Sequence, residues 1–364
     1  MTSRSRGIFT QEGPSWKHSR ELLRKQFSRV QSRNLNHFHE HVDNLIASTA
    51  LLFGKSVYSL KADTEQDASN KLFSERFNIA QEGLAKRFRI APWHFLYNPP
   101  AFQKACANVH RFVEQYIDSL DLGENDSLDD KSYGFIKQVA LESASKQDLR
   151  DQLLNVLLAG RDTTACCLAW TFRLLVRHEH AMCRLRKEVS SIMGDSPHAT
   201  REQIKKMLYL SYVIKESLRL YPPVPLNNRE ATQTTILPTG GGPNADRPML
   251  VRKGELVVFS QYVNSRKKNI YGADADEFRP ERWEAGELAK IGWAYFPFNG
   301  GPRQCLGEDF ALMEVSYTLM RLLQTFSTIS LPKGEPVEAV GCERQRLTLV
   351  LSSADGCRVE VQSS

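Results

Sequence analysis

A ten-residue segment near the C-terminus constrains this 364-residue chain more than any other feature. It reads F-N-G-G-P-R-Q-C-L-G, so Phe298, Gly301, Arg303, Cys305 and Gly307 form the spaced pattern F-x-x-G-x-R-x-C-x-G. The residues that follow are apolar at helical spacing, which predicts a helix directly after the loop. A lone cysteine before a core helix is usually only a buried side chain. Five spaced positions in ten residues indicate a dedicated site instead.

Each position of this segment suits the binding of haem through a cysteine thiolate. A thiolate can be the axial ligand of haem iron, and backbone N–H groups at the start of the following helix would stabilise its charge. Gly301 and Gly307 are expected to take positive φ and to let the backbone approach a flat macrocycle. The planar guanidinium of Arg303 can pair with a haem propionate. Phe298 can pack beside the sulfur and exclude water.

These residues resemble the cysteine-ligand loop of the cytochromes P450, the haem-thiolate monooxygenases. The resemblance implies haem (iron protoporphyrin IX) as the cofactor and Cys305 as the axial ligand of its iron. It also implies the fold, which is mainly α-helical with small β-sheets, an α+β architecture. Residues 1–364 would then form a single haem-thiolate monooxygenase domain.

A second motif lies in the middle of an apolar segment that predicts a long helix over residues 146–177. A glycine and two threonines interrupt it, which is locally unfavourable and often marks a functional position. The stretch Ala159–Thr164 is similar to the family's A-G-x-D-T-T motif. This similarity implies that Asp162 and Thr163 are catalytic and relay protons to dioxygen. The residues alone are also compatible with a second interpretation. The small residues could form a notch for helix packing, with the threonine hydroxyls bonded to carbonyls four residues back.

A tryptophan and an arginine near the N-terminus form a W-x-x-x-R pair. The pattern predicts a helix over residues 16–27, capped by Ser15. Trp16 and Arg20 lie four residues apart and so share one helix face. A tryptophan packed on the core beside a surface arginine is the commoner origin of such a pair. The resemblance implies instead that both side chains bind haem propionates, and that Arg229 does so too.

A third motif, E-x-x-R, is formed by Glu216 and Arg219 in a predicted helix over residues 211–220. This spacing is common on ordinary helices, where the two side chains pair on one face. In the family the pair binds a later arginine, which is Arg282 here, and the three together have the structural role of holding the cysteine loop. The resemblance also implies a substrate pocket lined by Val156, Ala159, Val224, Leu226 and Leu347.

The remaining patterns predict ordinary secondary structure. Amphipathic helices are expected over residues 73–88, 100–120 and 178–189, and short strands are expected between residues 236 and 259. A final hairpin is expected over residues 343–361, turning near residues 354–356.

The net charge of +6 is concentrated at one end of the chain. Residues 1–36 hold eight Lys or Arg against two acidic residues, and the remainder is balanced. Such a patch favours an acidic partner surface or a bound anion, and no nucleic acid is expected. A solvated helix face would explain the same charges. The seven scattered cysteines predict a reducing compartment, and the lack of an 18-residue apolar run predicts no transmembrane segment.

The family resemblance begins abruptly, at the Trp16 helix. Family members carry a membrane anchor, first helices and a sheet before this point, so we expect the N-terminal part to be missing. We also expect about one helix to be missing from residues 35–60. The chain could therefore be an inactive fragment.

Four short strings narrow the resemblance to the fungal alkane and fatty-acid ω-hydroxylases. They are Gly7–Thr10, Trp16–Arg20, Leu226–Arg229 and Pro238–Gly242. The implied reaction is hydroxylation of an apolar small molecule, at the terminal carbon of n-alkanes or fatty acids. It uses O₂ and electrons from NADPH, delivered by an NADPH-dependent cytochrome P450 reductase at the basic face. The full-length form would be anchored in the endoplasmic reticulum membrane, on its cytosolic face.

Two different functions would be compatible with the same fold. One is that of a non-catalytic haem carrier or sensor. The second is that of a haem-thiolate enzyme that uses peroxide or rearranges an oxygenated substrate. The intact pair of Asp162 and Thr163 argues against both, and enzymes of the second kind often lose the acid and the alcohol.

Overall fold

The computed structural model of the chain describes residues 7–32, 65–118, 134–194, 196, 198–284, 286 and 288–363. In these ranges the helices are α1 (Gly13–Ser32), α2 (Glu65–Arg89), α3 (Pro100–Asp118), α4 (Gly134–Glu142), α5 (Lys146–Leu175), α6 (Glu179–Met193), α7 (Arg201–Lys206), α8 (Leu208–Leu220), α9 (Gln261–Asn264), α10 (Lys268–Tyr271) and α11 (Glu308–Thr325). None of these helices is long and apolar enough to cross a membrane.

The strands form four antiparallel pairs: β1 (Leu226–Glu230) with β4 (Leu256–Ser260), β2 (Thr235–Gly241) with β3 (Arg247–Val251), β5 (Phe326–Ser330) with β8 (Glu360–Ser363), and β6 (Gln345–Leu347) with β7 (Leu351–Ser353). In the first pair Leu226 lies opposite Ser260. The predicted architecture, mainly α with small β-sheets, is confirmed.

Two hydrophobic clusters organise the helices. One contains buried side chains of α1 to α4 and of the first half of α5. The second contains the latter half of α5 together with α6, α8 and α11. Phe310, at the start of α11, packs against both clusters. The 30-residue helix α5 therefore runs from one core into the next.

Helix α5 begins where its sequence predicts. Ser145 is extended, and its hydroxyl accepts a hydrogen bond from the Asp148 N–H at 3.1 Å, which caps the first turn. The flanking turns are largely buried, whereas residues 158–163 in the middle are all only partly buried. This partly exposed middle carries the predicted catalytic motif.

Several predicted helix boundaries are wrong. α1 begins at Gly13, so Ser15 lies inside its first turn and is not the cap. α2 begins eight residues before the predicted start at residue 73. α4 and α7 were not predicted, because both are short and their apolar residues are too few to show a period. The predicted shortening over residues 35–60 lies outside the described residues.

The predicted C-terminal hairpin is also wrong. The paired strands are β6 and β7, so the hairpin turns at residues 348–350. Asp355 and Gly356 do form a turn, with φ of +74° at the glycine. The chain leaving this turn forms β8, which pairs with β5, a strand that lies well before it in the sequence. A turn signal is local, but the choice of pairing strand is made by tertiary packing.

Candidate active site

The cysteine loop connects a short 3-10 turn, Gly292–Ala294, to helix α11. The Cys305 N–H donates to the Phe298 carbonyl at 2.9 Å, which closes the loop. Gly301 takes φ of +67°, as predicted. A Cβ atom added at Gly300 would lie 2.1 Å from the end of the Trp293 ring, so a larger residue there would require this exposed ring to move. The loop backbone is held in one shape by these contacts.

The prediction of positive φ at Gly307 is wrong. Gly307 has φ of −94° and is the N-cap of α11. The left-handed conformation occurs instead at Asn299, with φ of +60°. Asparagine tolerates this region better than most residues. The Gly307 N–H points at the Cys305 sulfur, so this position serves the thiol by its helix-capping geometry.

The Cys305 side chain is partly surrounded by protein and partly exposed. The residue is exposed on one side, while the protein around the rest of the sulfur raises the pKa of the thiol by burial. The Gly307 N–H and the Arg20 guanidinium act on this pKa in the opposite direction. A metal ion deprotonates a coordinating thiol outright. The N–H and the cation are thus placed where thiolate charge would develop.

Three predicted propionate-binding residues lie together beside the loop. The guanidinium of Arg303 is 4.0 Å from the centroid of the Trp16 ring, and that of Arg20 is 5.7 Å from it. Arg20 also donates to the Gln304 carbonyl at 2.8 Å. Two cations and an indole N–H in one cluster suit a pair of carboxylates.

Arg229 is not part of this cluster. Its guanidinium turns back on β1, where it donates to the Asn228 carbonyl at 2.7 Å. β1 is nevertheless joined to the cysteine loop, because the Asn227 amide donates to the Asn299 side chain at 3.2 Å. Arg229 is exposed, so its side chain has room to turn toward an anion.

Together these residues fit haem. A thiol open on one side, a glycine loop, a partly buried Phe298 and two arginines meet the needs of an iron ligand, a flat macrocycle and two propionates. A Cβ atom built at Gly301 would meet no atom within 4 Å. The loop is therefore open at Gly301.

The acid and the alcohol of α5 are both partly buried. The Thr163 hydroxyl donates to the Ala159 carbonyl at 2.7 Å, the back-bond that a packing notch would also make. The Asp162 carboxylate is held by side chains on two helices. Gln81 of α2 donates to its Oδ2 atom, and Arg161 lies 3.7 Å from its Oδ1 atom. The sequence did not indicate Gln81, because it lies 81 positions from Asp162 in a helix without a motif.

Glu216, Arg219 and Arg282 form one buried cluster, with exposed fractions of 0%, 0% and 1%. Arg219 binds both carboxylate oxygens of Glu216, at 2.9 and 2.8 Å. Arg282 donates to the same carboxylate at 2.8 Å. The structure thus brings together the three residues that the resemblance grouped.

The surroundings of this cluster connect it to distant backbone. Arg219 donates to the carbonyls of Ser265 and Ala275, at 2.7 and 2.6 Å. The Trp283 indole, which the sequence did not indicate, donates to Glu216 at 3.0 Å. Trp283 also packs on Tyr295, with ring centroids 4.7 Å apart, in the segment that leads into the cysteine loop. The cluster therefore has a packed connection to the loop.

The predicted pocket residues divide into two groups. Val156 and Ala159 are partly buried on α5, whereas Val224, Leu226 and Leu347 are exposed by 38%, 51% and 40%. The hairpin of β6 and β7, which carries Leu347, is hydrogen-bonded through Leu351 to the segment before β1 and to helix α5. The Leu351 N–H donates to the Pro223 carbonyl at 2.9 Å, and the Leu351 carbonyl accepts from the Trp170 indole at 2.8 Å.

A buried carboxyl group on α11 was also absent from the predicted site. Glu314 is 6% exposed and lies beside Thr164 of α5. Burial raises the pKa of Glu314 to about 8, so its side chain is largely neutral at pH 7. The sequence did contain a signal for this buried carboxyl group, because Glu314 is an acidic residue inside the apolar segment after Cys305.

Comparisons with known proteins agree with this site. The family model for cytochrome P450 matches residues 44–343. A cytochrome P450 from Arthroderma benhamiae is 46% identical over 386 residues, covering 98% of this chain and 77% of the relative. Cytochrome P450 52A13 from Debaryomyces hansenii is 41% identical, covering 91% and 70%. Cytochrome P450 52A5 from Candida maltosa is 40% identical, covering 89% and 69%.

A solved structure supports the fold independently of close sequence similarity. The crystal structure of the cytochrome P450DA heme domain superposes with a TM-score of 0.73 at 20% identity. The match covers 98% of this chain and 80% of that structure. The helical arrangement described above is therefore shared with that heme domain.

The chain belongs to the cytochrome P450 family. It is a monooxygenase, an oxidoreductase whose cofactor is haem with a cysteine thiolate ligand. Its relatives also place it with the fungal cytochromes P450 of the 52 type. The alignment with the Arthroderma relative has 386 positions, more than the 364 residues of this chain, so the relative contains residues that this chain lacks.

Proposed function

We propose that this monooxygenase hydroxylates the terminal carbon of n-alkanes or fatty acids. The observation that carries the proposal is the pair of Asp162 and Thr163 in the partly buried middle of α5, in a chain similar to the fungal cytochromes P450 of the 52 type. The exposed apolar side chains of Val224, Leu226 and Leu347 support an apolar substrate. A long alkyl chain suits such a lining, because burial of each CH₂ contributes about 0.8 kcal/mol.

In this proposal Cys305 would ligate the haem iron, and its neighbours would hold the macrocycle. Arg20, Arg303 and Trp16 bind the propionates, and Arg229 turns from its strand to join them. Phe298 keeps water from the sulfur. Haem bound in this way supplies the electron transfer to dioxygen and the oxidation of the C–H bond.

Asp162 and Thr163 handle the protons that the reaction consumes. The Thr163 hydroxyl has a single proton, which it donates to the Ala159 carbonyl, so it can accept a second proton there but must turn away from that carbonyl to donate one onward. Asp162 is next to it in sequence and partly exposed, so its carboxylate can exchange protons with solvent. The two side chains form a relay from solvent to the site where oxygen is reduced.

The remaining roles concern architecture and partners. The chain is a single haem-thiolate domain in this proposal, which is supported by the contribution of α5 to both hydrophobic clusters of the described residues. Lys17, Arg24 and Lys25 are exposed on α1, the helix that carries Arg20, and suit an acidic NADPH-dependent cytochrome P450 reductase. We also propose that this monooxygenase acts at the cytosolic face of the endoplasmic reticulum membrane.

The test of this function is the product formed from unbranched substrates. Incubation of the protein with NADPH, a cytochrome P450 reductase and lauric acid or hexadecane is expected to yield the terminal alcohol. Mass spectrometry of the derivatised product distinguishes terminal from internal hydroxylation. Turnover of aromatic or steroid substrates alone would overturn the proposed substrate class.

Replacement of Thr163 by alanine is expected to uncouple NADPH consumption from product formation. The substitution removes the hydroxyl and leaves the helix intact, since alanine is the best helix former. General acid–base groups contribute roughly 10²–10⁴-fold to rate, so product per NADPH should fall severely while NADPH oxidation continues. The measurement is the ratio of alcohol and hydrogen peroxide to NADPH oxidised. Equal coupling in the variant would remove Thr163 from the relay, with Thr164→Ala as the neighbouring comparison.

A further inference from the structure

Gln81 contacts the Asp162 carboxylate from a helix that is distant in sequence. It lies on α2, is 5% exposed, and donates from Nε2 to the Oδ2 atom of Asp162. A buried amide that donates to a carboxylate makes a charge-assisted hydrogen bond, which is stronger than a neutral one. The contact therefore constrains the orientation of the carboxylate.

The position of Gln81 is fixed without any help from Asp162. Phe73 and Phe77 anchor α2 in the hydrophobic core. At Gly83 the helix lies so close to Phe102 that an added Cβ atom would be 2.1 Å from the ring. Arg87, near the end of α2, donates to the Tyr97 carbonyl at 2.9 Å. Gln81 thus reaches Asp162 from a rigid support.

The second carboxylate oxygen of Asp162 lies near Arg161, and α2 holds the side chain of Arg161 in place. Arg161 lies 3.7 Å from Oδ1. Its guanidinium donates to the Asn78 side chain at 2.7 Å and lies 5.2 Å from the Phe77 ring centroid. Neighbouring residues of α2 therefore hold both the carboxylate and the cation next to it.

We propose that Gln81 is a positioning residue that orients the Asp162 carboxylate for proton delivery. The inference rests on the proposed role of Asp162 in the relay. Without the amide donor, the carboxylate can rotate toward Arg161 and solvent, and Thr163 then loses its neighbour in the relay. Gln81 itself transfers no proton, because an amide is neither an acid nor a base at neutral pH.

The first test compares coupling in two Gln81 variants. Gln81→Met keeps the length of the side chain and removes the donor, and Gln81→Leu removes the donor from a shorter side chain. Loss of one charged hydrogen bond is expected to lower product per NADPH about tenfold and to raise peroxide release. The reduced CO-bound spectrum and the spectral dissociation constant for lauric acid should not change. The matched control is Gln115→Leu, at an exposed position of α3. Unchanged coupling in the folded Gln81→Met variant overturns the inference.

The second test does not depend on activity. Gln81→Leu, Asp162→Ala and the double variant are compared by thermal unfolding of the haem-bound protein. Since the two side chains bond to each other, the fall in melting temperature of the double variant should be smaller than the two single falls added together. Additive falls contradict the inference.

Asp162→Asn separates this inference from the proposed function. If Asp162→Asn uncouples the enzyme and the Gln81 variants do not, only the positioning role fails. If Asp162→Asn leaves coupling unchanged, the proposed relay fails, and the positioning role fails with it.

Discussion

Replacement of Cys305 by serine is expected to abolish the red-shifted Soret band of the reduced, CO-bound protein, together with all hydroxylation. The sulfur is open on one side and receives the Gly307 N–H, an arrangement that serves a thiolate. A serine hydroxyl is not deprotonated as readily and donates far less electron density to iron. The measurement is the difference spectrum between the reduced and the reduced, CO-bound protein.

A matched control is available at Cys342, which is also exposed. Cys342→Ser changes the same atom outside the loop and should leave both the band and the turnover unchanged. A red-shifted band that persists in Cys305→Ser would mean that a different residue ligates the iron. A band lost in both variants would point to a general failure to fold.

Replacement of Glu216 by glutamine is expected to cost about 3–5 kcal/mol of unfolding free energy. The glutamine keeps the shape but removes the charge that faces Arg219 and Arg282, and both guanidiniums are buried. Arg282 retains Asp274 at 3.3 Å, whereas Arg219 is left with backbone carbonyls. Since domains are stable by roughly 5–15 kcal/mol in total, much of the protein should lose its fold.

Urea unfolding followed by tryptophan fluorescence measures this loss, and haem content after purification gives a second reading. Glu255→Gln is the control, because Glu255 makes an exposed pair with Arg252 at 3.4 Å. Exposed pairs contribute little, so this variant should unfold at the same urea concentration as the parent. A Glu216→Gln protein as stable as the parent would show that the buried cluster does not hold the fold.

Most of the site could be predicted because its residues lie in short, ordered strings. The cysteine loop is a local structure, so Gly301 takes the expected positive φ. The Glu216 and Arg219 pair is local as well, and its spacing on α8 is enough to bring the side chains together. Even within the loop, the prediction of positive φ at Gly307 was wrong. Gly307 caps a helix with negative φ, and Asn299 takes the left-handed conformation instead.

The parts that could not be predicted depend on contacts between distant segments. Gln81 reaches Asp162 only because α2 packs beside α5, and nothing near Gln81 in sequence indicates this. The turn at Gly356 is correctly indicated by the sequence, but the strand after it, β8, pairs with β5 rather than with a neighbouring strand. The hairpin predicted at this turn was therefore wrong. Trp283 joins the buried cluster from a 3-10 turn that is too short to show a period.

The partly exposed middle of α5 has a consequence for local stability. Its two ends are each locked in a separate core, while residues 158–163 belong fully to neither. Opening of a helix costs least where the fewest apolar contacts are broken. The turn that carries Asp162 and Thr163 should therefore have the lowest free energy of local opening in α5. Amide hydrogens there should exchange before those of the flanking turns, and the relay can adjust its geometry without melting either core.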